Sequence, residues 1–158
     1  MKNLSHKIPI FFLLFILSFG QWISKNGGNF EDKTNWKEGK IPTDNATISE
    51  TGNYDVFINS KIILNSLTIG GEGSSPKLII RSGSNLELNT CTIQGAVMEI
   101  EENASLLIKQ SLEATKIDIT SSNQLVINGS YKIEKIDLQK GTLTIDSKKP
   151  TSLPPVRL

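Results

Sequence analysis

The sequence predicts an all-β chain, a single-stranded right-handed parallel β-helix of about five windings with coils of ~19 residues. Three observations predict it. Apolar-x-apolar triplets recur at a nearly fixed step. The triplets alternate with polar residues and are rich in β-branched side chains, which marks half-buried strands. Gly, Asn and Ser cluster between them, as in Ser82-Gly83-Ser84-Asn85 and Ser121-Ser122-Asn123, where corners are needed.

One series of triplets starts at Leu67, Leu86, Leu106, Leu125 and Leu143, with steps of 19, 20, 19 and 18 residues. A second starts at Leu78, Met98, Ile117 and Ile136, with steps of 20, 19 and 19. A weaker third set, Ile93, Leu112 and Tyr131 or Ile133, falls between them. Each strand hides two or three apolar side chains and is too short to stand alone. Stacking equivalent strands about 4.8 Å apart joins those side chains into one core. The uneven split of each period shows no hexapeptide grid, which favours the right-handed form over the left-handed one.

Residues 1–20 read as a signal peptide. Lys2, His6 and Lys7 precede the apolar run Ile8 to Phe19, and Ser18-Phe19-Gly20 sets up cleavage after Gly20. Those twelve residues are too few for a membrane-crossing helix, which needs about 20. Cleavage lowers Lys+Arg from 17 to 15 against 16 acids, and it removes His6, the one histidine. The mature chain then has no imidazole for a Ser-His-Asp or Cys-His arrangement or for a His-ligated metal.

Residues 21–44 form an N-terminal cap segment. An open β-helix end exposes unpaired strand edges and core, an invitation to aggregation. Trp22, Phe30 and Trp36 are large enough to cover it, and the alternative use of such rings is a sugar-stacking platform. Pro42 and Asp44 suit the turn into a first strand at Ala46–Ile48. The parallel β-helix fills residues 45–147. Residues 148–158, with Pro150, Pro154 and Pro155, leave the ladder as a Pro-rich tail or linker.

The order Trp22, Gly27-Gly28, Phe30, Asn35-Trp36, Gly39, Pro42, Asp44, Ile48 resembles the opening of secreted β-solenoid proteins of the bacterial autotransporter-like and surface-repeat type, with relatives among protist surface proteins. The resemblance covers about a quarter of the chain and implies a surface or extracellular module.

The formal net charge of +1 and the two arginines, Arg81 and Arg157, give no electrostatic footprint for nucleic acid. No cofactor motif appears: Gly70-Gly71-Glu72-Gly73-Ser74-Ser75-Pro76 lacks the Lys-Ser/Thr of a phosphate loop. Asn45, Asn103 and Asn128 open N-glycosylation sequons. Glu99, Asp118 and Asp137 occupy equivalent outward positions in successive windings, with Lys116 and Lys135 two residues before the aspartates. That acidic column is the candidate glycan-facing site, for binding or Ca²⁺-assisted cleavage of a polysaccharide; a solvated charge ladder is the structural reading of the same residues. Cys91 falls inward and unpaired.

These features together predict a secreted or cell-surface, non-catalytic module for adhesion or scaffolding. The alternative is a carbohydrate-binding or polysaccharide-degrading protein using the acidic column. No catalytic residue, metal or cofactor is assigned. The expected partner is an extracellular protein or glycan, with no nucleic acid and no membrane span after signal cleavage. End-to-end self-association is a further expectation.

Overall fold

The computed structural model describes residues 19–119, 124–127, 130–138, 142–145 and 156–157. Among them run thirteen strands: β1 (Phe19–Gln21), β2 (Gly28–Asn29), β3 (Asn45–Ile48), β4 (Asp55–Ile58), β5 (Lys61–Gly70), β6 (Lys77–Ile80), β7 (Asn85–Gln94), β8 (Val97–Ile100), β9 (Ser105–Ile119), β10 (Gln124–Ile127), β11 (Ser130–Leu138), β12 (Thr142–Ile145) and β13 (Val156–Arg157). Every pairing between them is parallel and joins a strand to one a winding away. The fold is a β-solenoid of about four turns at ~22-residue spacing, fewer and longer windings than the five of ~19 expected.

Three faces follow from the register. The first carries β1, β3, the second halves of β5 and β7, the middle of β9 and the start of β11. The second carries β2, β4, β6, β8, the ends of β9 and β11, and β13. The third stacks the first halves of β5, β7 and β9 with β10 and β12. On the second face Val56, Leu78, Met98, Ile117 and Ile136 stand in one column, so the triplet series from Leu78 to Ile136 is one face as expected.

The series starting at Leu67 needs correction. Leu86, Leu106, Leu125 and Leu143 are in register, but the residue before them is Ile62, and Leu67 lies on the first face opposite Ala46 and Cys91. Cys91, not Ile93, stands opposite Leu112. The cause is physical. The step from Ile62 to Leu86 is 24 residues because the glycine-rich segment after Ile69 lengthens that winding, and β5 turns a corner at Asn65 without Gly or Pro. A fixed 19-residue step back from Leu86 therefore lands one face late.

Inward side chains from all three faces make one core. Ile48, Val56, Ile58, Ile69, Leu78, Ile80, Leu88, Ile93, Met98, Ile100, Leu106, Ile108 and Ile117 are fully buried. Burial of one such side chain is worth about 1.5–3 kcal/mol, so a single winding cannot offset its own ordering and the stack must. Asparagines turn one corner: Asn65 Nδ2 donates to Asn45 Oδ1 (3.2 Å) and Asn89 Nδ2 donates to Asn65 Oδ1 (3.0 Å). Such a ladder holds chain direction where no apolar pair can. At the next winding Asn89 faces two residues, Lys109 and Gln110, so β9 carries a bulge there.

At the N-terminal end Trp22, Phe30 and Trp36 are buried at 0, 0 and 1% exposure. Trp36 meets Trp22 and Phe30 edge-on, with ring centroids 5.1 and 4.8 Å apart. Each indole N–H has a partner, Trp36 Nε1 to the Phe30 carbonyl and Trp22 Nε1 to that of Ser24, both 2.8 Å. These rings pack inward on the first winding, and buried rings offer no face for a sugar to stack on. Strand edges are also covered. Residues 35–37 run antiparallel to β1, through Ile23 N to Asn35 O and Lys37 N to Gln21 O, each 2.9 Å. Asn35 Nδ2 donates to the outward carbonyl of Asn29 on β2 (2.9 Å). Against self-association, this is the arrangement a solenoid end requires.

At the other end Val156–Arg157, placed in the tail by their prolines, add a rung beside Ile136–Asp137. They follow Pro155 and keep both N–H groups, so nothing in their chemistry forbids pairing. Residues 1–18 of the expected signal segment lie outside the described residues. The expected cleavage point after Gly20 falls within β1, whose Gly20 packs so closely on Pro42 that an added Cβ would lie 2.5 Å from Pro42 Cβ.

Candidate functional site: a cleft on the second face

The register places Glu99, Asp118 and Asp137 side by side on adjacent strands, as the repeat predicts. Ile79 precedes them and Arg157 follows. Lys116 and Lys135 are likewise in register. Glu99 is already engaged: Lys77, one winding earlier, forms an ion pair with it. The same device recurs around the solenoid. Arg81 Nη1 contacts Glu101 Oε1 at 2.7 Å, and Lys109 pairs with Glu87. The Lys109 ammonium, bonded to Glu87, holds that carboxyl below the usual carboxylate range. These are interleaved charges on stacked strands, each pair worth about 0–1 kcal/mol at such exposure. Among the described residues no group of three or more His, Cys, Asp or Glu is placed to hold a metal ion.

Above the column, toward the cap, the second face changes character. Val56-Phe57-Ile58 and Leu78-Ile79-Ile80 are apolar at all three positions, so an outward apolar residue stands between two inward ones. Phe57 and Ile79 are paired neighbours outside the core. Ile79 is nevertheless 6% exposed. Arg81 lies over the Phe57 ring at 4.3 Å from its centroid while holding Glu101, a cation–π contact that fixes the ring.

Beside this pair opens a cleft of about 510 Å³ built from three consecutive windings. Asn26 comes from the cap, Asn53, Tyr54, Asp55 and Phe57 from β4 and its approach, and Ser75 and Lys77 from the approach to β6. Local geometry dictates the assembly. Gly27, at φ +75°, lies directly on Asp55, where a Cβ would come within 2.2 Å of the Asp55 carbonyl; only glycine lets Asn26 reach this place. Ser75 N donates to Gly52 O and Lys77 N to Tyr54 O, both 2.9 Å, which aligns the two approaches. Tyr54 forms the buried wall, and desolvation pushes its phenol above the ordinary tyrosine range.

Sequence reasoning singled out none of these lining residues. The signal for one was present: the apolar triplets at 56–58 and 78–80 break strict alternation, and the residue of wrong parity, Phe57, is the aromatic of the cleft. Asn26, Asn53 and Ser75 come from turns that look like any other turn.

The sequons divide. Asn45 is 6% exposed, donates to Asp44 Oδ2 (2.7 Å) and accepts from Asn65 Nδ2 and Ser66 Oγ, which leaves no room for a glycan on the folded chain. Asn103 is exposed at φ 60° in the turn before β9. Asn128 lies outside the described residues. Expressed through a eukaryotic secretory pathway, the protein is expected to carry glycan at Asn103 and none at Asn45. Glycopeptide mass spectrometry of the folded fraction checks this, and a glycan at Asn45 there contradicts the corner ladder.

Cys91 is 2% exposed, and burial pushes its thiol up to about 12. The neutral thiol is therefore favoured by folding. That stability is fully present below pH 9, the ordinary value, and drains away as pH rises toward 12. At pH 8 the native protein is expected to resist iodoacetamide for hours and to react in minutes once unfolded in urea. Equal rates in both states would place the thiol on the surface.

Among the described residues no helix is long and apolar enough to cross a membrane. Compared with protein families, curated proteins and solved structures, the chain matches none.

Proposed function

We propose that this chain is a secreted or cell-surface, non-catalytic β-solenoid module that serves adhesion or scaffolding. The observation that carries the reading is the disposition of charge. Glu87, Glu99 and Glu101 each pair with a cation of a neighbouring winding instead of converging on a reaction centre. An array of flat faces held in register suits extended contact with a surface or polymer. The apolar run of residues 8–19 and the N-terminal order from Trp22 to Ile48, which resembles surface proteins of the autotransporter-like and protist types, support an extracellular place.

The test is incubation of the purified protein with a broad polysaccharide panel, with and without Ca²⁺, following release of reducing ends and unsaturated products. No turnover is expected, together with retention on intact cell surfaces or matrix. Ca²⁺-dependent cleavage of an acidic polysaccharide that is lost in Asp118→Ala would overturn the proposal.

A further inference from the structure

Four polar side chains lining the cleft, those of Asn26, Asn53, Asp55 and Ser75, make no hydrogen bond or ion pair with the described residues. Their neighbours are otherwise occupied. Asn29, Asn35 and Asn59 bond to one another's main or side chains, Glu31 binds Asn59 N and Ser60 Oγ, and the asparagines of the corner form a ladder. Unengaged donors and acceptors thus gather where three windings meet, next to the one outward aromatic ring of this face, Phe57.

We propose that this cleft binds a segment of a neutral glycan chain. The inference rests on the extracellular reading above and names its ligand. Size fits: small-ligand sites span roughly 300–1,000 Å³, and this cleft offers about 510 Å³. Chemistry fits as well. Sugar hydroxyls donate and accept at once, and two primary amides, a carboxylate and a hydroxyl answer both needs. Phe57, pinned by Arg81, presents apolar surface to the C–H groups of a pyranose ring. Charge selects against a polyanion. Lys77 and Arg81 are held by Glu99 and Glu101, so the uncompensated charge left in the cleft is that of Asp55. This moves the glycan site from the acidic column to the cap-proximal end of the same face.

The test is affinity-gel retardation of the full folded protein by soluble neutral polysaccharides (mixed-linkage β-glucan, galactomannan and glycol chitin), with alginate and polygalacturonate as polyanions. Retardation by at least one neutral polymer is expected. Asn53→Ala and Asp55→Ala, both at exposed positions, should each weaken it at least about tenfold, the loss of one well-placed hydrogen-bonding group. Their melting temperatures should match the parent, and Lys109→Ala on the third face should bind like the parent. The proposal is overturned if no neutral polymer retards the protein, if retardation is confined to the polyanions, or if both cleft variants bind like the parent. Failure of the extracellular reading is a separate result, read from where the protein is found rather than from what retards it.

Discussion

Gly70→Ala is expected to lose about 3–5 kcal/mol, enough to leave a domain of ordinary stability partly or wholly unfolded. Gly70 ends β5 at φ +84°, buried, with the Gln94 carbonyl of the next winding 1.9 Å from where a Cβ would sit and Ala96 Cβ 3.0 Å away. Two costs therefore add. The left-handed backbone alone costs a non-glycine residue about 1–2 kcal/mol. The clash is with main chain in the ladder, which cannot rotate aside as a side chain would. Gly83 separates the two, since it has φ +77° and nothing within 4 Å of its Cβ position. Urea unfolding should place Gly83→Ala about 1–2 kcal/mol below the parent and Gly70→Ala well beyond that. Equal losses would mean that the windings at residues 70 and 94 are not in contact.

Trp36→Ala is the second large effect, about 3–5 kcal/mol for deletion of a buried aromatic side chain. It removes both edge-on ring contacts and strips the Phe30 carbonyl of its hydrogen bond. Trp36→Phe keeps a ring and forfeits the N–H, so about 1–2 kcal/mol should suffice to describe it. The larger change also loosens residues 35–37, which cover the edge of β1, and Asn35, which covers β2. Trp36→Ala should consequently self-associate in size-exclusion chromatography at concentrations where the parent stays monomeric. A monomeric variant within 1 kcal/mol of the parent would show that the cap neither closes the core nor guards the edges.

The contrast between these positions explains what the sequence could convey. Alternation and repeat length announced the strands, because burial of one strand face is a period-two property that short windows display. The second face was legible in full, since its steps of 20 and 19 residues are nearly constant from Leu78 onward. The third face was assigned its first rung wrongly, at Leu67, because the segment after Ile69 adds residues between corners. Repeat arithmetic has no way to know where in a winding an insertion sits. Trp22, Phe30 and Trp36 were readable as a cap from size alone, whereas the covering of strand edges by residues 35–37 and the Asn35 side chain depends on hydrogen bonds between segments that no spacing reveals.

The candidate site shows the same division. Placement of Glu99, Asp118 and Asp137 on neighbouring strands follows from the period. That Glu99 is taken by Lys77 does not, because the pair joins residues 22 apart through register. The cleft was invisible for a related reason: it is made where cap, β4 and β6 meet, and its glycine hinge, Gly27, is recognisable only from its contact with Asp55.

The measurement that tests the central claim most directly is the intact mass of the native protein, collected from outside the producing cells and not reduced. The account predicts a monomer beginning at Gln21, with or without glycan increments, and with Cys91 as a free thiol. An uncleaved 17.4 kDa chain found only inside cells would contradict it, and the adhesion reading would go with the extracellular premise.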